Sequence, residues 1–133
     1  KNPFFCNLMS YTDIVRRKDK FIMFHNRIIF AAAINKYGSL VLSHQILNEL
    51  NNLYFDALYL GLPLVHNSKK LSRFGYYYPE YNTFKAVNQI KHVLNTHISN
   101  LSNYKKKNVQ LFRAYHPKAR SNLSAFVKLL VKD

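Results

Sequence analysis

The chain has one cysteine, no tryptophan, three glycines and four prolines in 133 residues. Cys6 alone can close no internal disulfide and anchor no structural zinc site, so a stapled secreted scaffold is excluded and a reducing, cytoplasmic setting is expected. So few glycines leave no glycine-rich phosphate loop. Neither the dinucleotide fingerprint nor the P-loop pattern occurs, and Gly38, Gly61 and Gly75 each border an element. Acidic residues are scarce as well, six Asp and Glu against twenty Lys and Arg, for a net charge of +14. Long apolar runs are missing: the best stretch, Phe21 to Ala33, is interrupted by His25, Asn26 and Arg27 and falls short of the roughly 18 residues that a spanning helix needs. The chain starts at Lys1-Asn-Pro-Phe-Phe, with neither an initiator Met nor a signal-peptide pattern, and so reads as a piece of a longer protein.

What is present is aromatic and basic. Hydrophobic residues make up 48%, with ten Tyr and ten Phe, which is too apolar for a disordered tail and is expected to fold as one domain over 1–133. A pI near 10.0 brings nucleic acid or an anionic surface into consideration. The cations are dispersed, however, in short clusters at Arg16-Arg17-Lys18, at Lys69-Lys70 with Arg73, and at Lys105-Lys106-Lys107. No helix-turn-helix spacing, ribonucleoprotein motif or zinc-finger frame accompanies them. Nucleic acid is therefore not the expected partner.

The apolar pattern alternates short runs with helical stretches. Phe21–Phe24, Leu40–Leu42 and Pro63–Asn67 read as buried strands. Between them, Arg27–Tyr37 reads as a helix with Gly38 as a left-handed cap, and Asn48–Leu60 as a helix stopped by Gly61. Strand, helix, strand, helix, strand at this spacing implies a parallel sheet with helices on its faces, an α/β fold. Gly75–Pro79 reads as an edge strand and Thr83–Asn95 as a helix with Phe84, Val87, Ile90, Val93 and Leu94 on one face. A Lys-rich helix from about Asn100 to Tyr115, a break at Pro117 and an amphipathic helix over Ser121–Lys132 follow.

In open α/β sheets ligands bind at the carboxyl ends of the strands. Three loops meet that rule: His25-Asn26-Arg27, Ser43-His44-Gln45 through Asn48, and His66-Asn67-Ser68-Lys69-Lys70. The helix start around Asn48 to Asn51 offers free N–H groups to an anion such as a phosphate. Among the few carboxylates, Glu49 suits the helix dipole in a first turn. Asp56, amid Tyr54, Phe55, Leu58 and Tyr59, is expected to be partly buried and to need a partner, either a ribose diol, a Lys or backbone N–H groups. His44 and His66 end adjacent strands, but no third residue stands at ligand spacing, so no metal is expected. Tyr76-Tyr77-Tyr78 suits either stacking on a sugar or base or packing at the sheet edge.

The run from Ser43-His44-Gln45 through Asn48 and Tyr54-Phe55-Asp56-Ala57-Leu58-Tyr59 to Gly61-Leu62-Pro63-Leu64-Val65-His66-Asn67-Ser68 resembles the C-terminal, donor-binding half of GT-B glycosyltransferases. In particular it resembles a glycosyltransferase-like family long catalogued as of unknown function, and the likeness extends over roughly Thr12 to Leu94. The resemblance implies a Rossmann-like three-layer sandwich with a short parallel sheet, followed by C-terminal helices. It implies transfer of a sugar from a nucleotide diphosphate sugar to a glycan or protein acceptor, with no metal and no further cofactor. By the same resemblance Asp56 holds the ribose hydroxyls, and the helix start at Asn48 to Asn52, including Asn51, faces the diphosphate. His25 to Arg27 lie near the base; Ser43, His44 and Gln45 face the sugar or its phosphates. Lys69, Lys70 and Arg73 are candidate phosphate partners, and no catalytic residue is assigned. The chain departs from the family where Ile46-Leu47 replaces an expected Trp-Glu, so an acidic contact to the donor sugar is lost or is supplied by Glu49. An acceptor domain is expected upstream in the same protein, and peripheral membrane contact fits the charge. A basic polyanion-binding module and a catalytically degenerate domain are the competing readings.

Overall fold

The computed structural model describes residues 28–38 and 40–131. The expected strand at Phe21–Phe24 and the candidate residues His25, Asn26 and Arg27 lie outside the described residues. The chain divides into two compact units, Lys1–Ala33 and Ile34–Asp133. Of the first, only 28–33 are described. They contain the start of helix α1 (Phe30–Tyr37), which has no buried residue.

The second unit is α/β, as the alternating pattern implies. Strands β1 (Val41–Ser43), β2 (Leu64–His66) and β3 (Tyr76–Tyr77) form a parallel sheet in the order β1-β2-β3. Helix α2 (Asn52–Leu60) connects β1 to β2, and a single 3-10 turn at Lys69–Leu71 lies between β2 and β3. Helices α3 (Thr83–Thr96), α4 (Leu101–Tyr115) and α5 (Arg120–Leu130) follow.

Register decides which side chains share a face. Ser43 lies opposite His66, His66 opposite Tyr77, and Val65 opposite Tyr76. Residues paired across a parallel ladder point to the same side of the sheet. The Ser43/His66/Tyr77 side meets α2 through Tyr54, whose hydroxyl accepts a bond from Ser43 Oγ at 3.0 Å and whose ring lies 5.4 Å from that of His66. The Val65/Tyr76 side meets α3, where the Tyr76 hydroxyl bonds His97 Nδ1 at 2.9 Å. Both faces of β2 are covered, which explains its uniform burial and its unbroken apolar reading as Leu-Val. Helix α3 packs on β2 and β3, and Leu42 of β1 on that same side stays half-exposed.

Helix α4, the Lys-rich segment, is tied into the core through polar side chains as well as Leu111. Tyr104 donates its hydroxyl to the Leu62 carbonyl at 2.9 Å, accepts the Leu64 N–H at 3.3 Å, and stacks on Tyr76 with ring centroids 5.4 Å apart. Burial pushes the Tyr104 hydroxyl pKa up to about 12. Asn108 donates to the Leu58 carbonyl at 3.0 Å. Helix α5 has no buried residue.

Several expectations need correction. Gly61 does cap α2 in the left-handed region at φ 74°, with its N–H directed to the carbonyls of Ala57 and Leu58. Gly38 is not left-handed; the described glycines with positive φ are Gly61 and Gly75. Helix α2 starts at Asn52, later than the apolar spacing suggests, because Asn51 adopts extended geometry and caps it by accepting the Leu53 N–H at 3.0 Å. Glu49 therefore lies before the helix, not in its first turn. Helix α3 buries Ala86 and Val93, while Phe84 is 74% and Leu94 72% exposed. Two apolar stripes overlap on this helix. The packed one carries small Ala86, which permits close approach to the sheet, and runs on to His97, which also bonds the Gly61 carbonyl at 3.1 Å.

Candidate ligand-binding cleft

The carboxyl ends of β1, β2 and β3 open onto one cleft of about 470 Å³. Its walls come from the three loops that leave those strands: Gln45, Leu47, Asn48 and Glu49 after β1, Asn67 to Lys70 after β2, and Tyr77, Glu80 and Tyr81 at and after β3. Parallel strands place their outgoing loops at one edge, where exposed backbone ends and polar side chains converge.

Asn67 holds the three loops together. Its Oδ1 accepts the Gln45 N–H at 2.9 Å, and its Nδ2 donates to the carbonyls of Gln45 at 2.9 Å and Glu80 at 3.1 Å. The carboxamide thus pairs with Gln45 much as another peptide unit would, extending the β1–β2 contact past the last backbone rung. Ser68 adds a second tie by donating its hydroxyl to the Glu49 carbonyl. No side chain caps the 3-10 turn at Lys69–Leu71.

Beneath the cleft, the polar groups are occupied with one another. Gln45 Nε2 donates to Ser43 Oγ at 3.3 Å, and the Ser43 hydroxyl in turn donates to the Tyr54 oxygen. Burial raises the Tyr54 hydroxyl pKa, with the Ser43 bond opposing. His66 is fully buried; its Nδ1 accepts the Ser68 N–H at 3.2 Å, so Nε2 carries the proton given to the Phe74 carbonyl at 2.8 Å. Burial lowers its pKa, and the Phe74 contact opposes that shift. The ring is held neutral.

Two backbone positions in the walls are unusual. Leu47 has φ 57° and Glu80 has φ 55°, the left-handed region that costs a side-chain-bearing residue on the order of 1 kcal/mol or more. Both line the cleft, and Asn67 holds the Glu80 carbonyl directly.

Of the residues singled out in the sequence, Gln45, Asn48, Asn67, Lys69 and Lys70 line the cleft. Lys70 and Glu49 stand 4.0 Å apart, both well exposed, a pairing that contributes little to stability. Ser43 and His66 form its floor support. His44 turns to Tyr78, bonding the hydroxyl through Nδ1 at 2.7 Å and stacking on the ring. The two histidines thus make separate contacts, and no cluster of metal-ligating residues occurs among the described residues. Asn51 spends its side chain as the α2 cap and is not part of the cleft wall, nor is Arg73.

Asp56 differs most from expectation. It is exposed, not buried, and it is not part of the cleft wall. The apolar neighbours in sequence misled because Tyr54, Ala57 and Leu58 turn inward while Asp56 takes the opposite side of the helix. Tyr76 and Tyr78 are buried, which settles their part of the tyrosine run as packing, whereas Tyr77 reaches the cleft. Glu80 and Tyr81 were not singled out in the sequence. Treating Gly75–Pro79 as a full parallel strand would have selected the loop after it by the same strand-end rule.

The described unit is thus α/β, with a short parallel sheet and a cleft walled by the loops at its strand ends. A family model described as "Protein of unknown function (DUF2827)" matches residues 1–130, and the chain belongs to that family. No curated protein and no solved structure matches the chain. Among the described residues, no helix is long and apolar enough to cross a membrane.

Proposed function

We propose that the chain is the donor-binding domain of a GT-B-type glycosyltransferase and takes a nucleotide diphosphate sugar in the cleft at the strand ends. The observation that carries this reading is the meeting of Lys69 and Lys70 with the rings of Tyr77 and Tyr81 in one cleft at the carboxyl edge of a parallel sheet. Such a surface suits a ligand that combines phosphate charge with a planar or sugar ring. In this reading the two lysines meet the diphosphate and stabilise it as it leaves. The tyrosines flank a ring, and Glu49 receives sugar hydroxyls in place of the residue lost at Ile46-Leu47. A companion domain of the same protein supplies the acceptor contacts. Asp56 has no part in donor binding, since it stands outside the cleft wall.

Calorimetry of the full-length protein with a panel of nucleotides and nucleotide sugars tests the reading. Saturable binding that weakens roughly tenfold or more in a Lys69→Glu, Lys70→Glu double variant supports it. Asp56→Ala is expected to bind as the parent does. Failure of every nucleotide sugar to bind at millimolar concentration sinks the proposal.

A further inference from the structure

A second cavity, of about 630 Å³, lies between α2 and α4 and, among the described residues, shares no wall residue with the cleft. Its walls are apolar: Leu58 and Tyr59 from α2, Val109 and Phe112 from α4, and Ala119 just before α5. Tyr59 and Phe112 meet edge to face, 5.6 Å between centroids, so an aromatic pair forms part of the wall. Cavities of this size and lining, with a few placed polar groups, are the usual form of small-molecule sites.

The charged groups of the wall are all cationic. Lys105, Arg113 and Lys118 stand among the apolar residues with Asn108 and His116, and among the described residues the lining contains no carboxylate. The wider charge pattern agrees, since from Tyr81 to Lys132 the sequence has ten Lys and Arg and no Asp or Glu. Lys105, Asn108, Val109, Phe112 and Arg113 fall at i, i+3, i+4, i+7 and i+8, so one stripe of α4 presents both the cations and the apolar wall. The Lys105 stem lies against Gly61, where a Cβ would collide with it, so the missing side chain of the α2 cap is what seats this lysine.

Asn108 stands in the same wall. It is 2% exposed, its Nδ2 is committed to the Leu58 carbonyl, and its Oδ1 is buried without a hydrogen-bond partner. A buried unpaired acceptor costs roughly 1–3 kcal/mol, and here it belongs to a residue of the cavity wall. The chain's own apolar helix does not occupy the space. Asn122 Nδ2 bonds the carbonyls of Ala114 and His116, which fixes the turn into α5, and Leu123, Phe126 and Val127 remain exposed.

We propose that this cavity binds a single-chain anionic amphiphile. The alkyl chain lies against Leu58, Tyr59, Val109 and Phe112. The anionic head meets Lys105, Arg113 and Lys118. Alkyl phosphates carry both elements. This site is independent of the donor cleft, and its test is separable from that of the cleft.

The full-length protein is titrated calorimetrically with decyl phosphate below its micellar concentration, and in parallel with decanol and inorganic phosphate. One molecule of decyl phosphate per chain is expected, with the neutral chain and the bare anion each roughly tenfold or more weaker. Val109→Glu, which puts a carboxylate in the half-exposed wall, is expected to abolish binding. Val109→Phe, which fills the space without adding charge, serves if that variant does not fold. Lys105→Ala with Arg113→Ala weakens binding of decyl phosphate but not of decanol. The Lys69→Glu, Lys70→Glu variant leaves it unchanged, which separates this site from the cleft. Absence of saturable binding, equal binding of neutral and anionic chains, uptake of many molecules per chain, or indifference to the Val109 variants overturns the proposal.

Discussion

Replacing Asn67 by alanine removes three hydrogen bonds from the point where the cleft loops are joined, two to Gln45 and one to Glu80. Each is worth about 1 kcal/mol net, but the Glu80 contact is exposed and water can replace it, so the loss in unfolding free energy is expected to be about 2 kcal/mol. Asn67→Asp sharpens the test. The carboxylate keeps the acceptor for the Gln45 N–H but turns the second oxygen toward two carbonyls that the amide had served as donor. At neutral pH it is expected to destabilise at least as much as alanine. Acidification through the carboxyl range then restores a donor and recovers part of the loss. The measurement is urea unfolding of both variants across pH, with amide hydrogen exchange followed at Gln45. A loss below about 0.5 kcal/mol for Asn67→Ala, with unchanged exchange at Gln45, would refute the view that this side chain organises the cleft.

Three other perturbations follow from the same geometry. Gly75→Ala combines a left-handed φ of 62° with a Cβ that would stand 2.9 Å from the Leu64 carbonyl and 3.0 Å from the buried His66 ring, so about 2 kcal/mol or more should be lost, read from the denaturation midpoint. His66 titrates at a pKa lowered from 6.5, so the unfolded chain takes up its proton first. The stability that His66 contributes is complete above about pH 6.5 and is lost as the pH falls through its depressed value; His66→Gln should flatten that part of the pH profile. Tyr104 behaves oppositely, its contribution being intact below the ordinary 10.0 and lost as the pH rises toward about 12. Ultraviolet titration should show a late-ionising phenol that Tyr104→Phe removes, and a titration unaltered by that change would disprove the assignment.

Some of this protein was legible in the chain because the information is local. Alternation of short apolar runs with 3.6-period stretches is enough to specify strand, helix and strand, and a β-x-β spacing of that length allows only a parallel sheet. Gly61 could be read as a helix stop because no other residue takes its backbone angle as cheaply. The strand-end rule selects most of the cleft from the sequence, since in a parallel sheet topology alone sends the outgoing loops to one edge.

Tertiary structure decided what depends on rotation and on distant partners. Whether Asp56 faces inward is a question of helix phase, set by which side of α2 packs on β2, and a carboxylate between aromatic neighbours in sequence ended up in solvent. Helix α3 had two apolar stripes and the sheet selected the one with the smaller residue, leaving Phe84 outside. Asn67 read as one polar loop residue among many. Its carboxamide became the joint of three loops because Gln45 and Glu80, 22 and 13 residues away, were brought to it by the register of the sheet. The same holds for the second cavity, whose apolar walls and cations come from α2, α4 and the turn beyond, and whose unpaired Asn108 oxygen exists only because folding removed it from water.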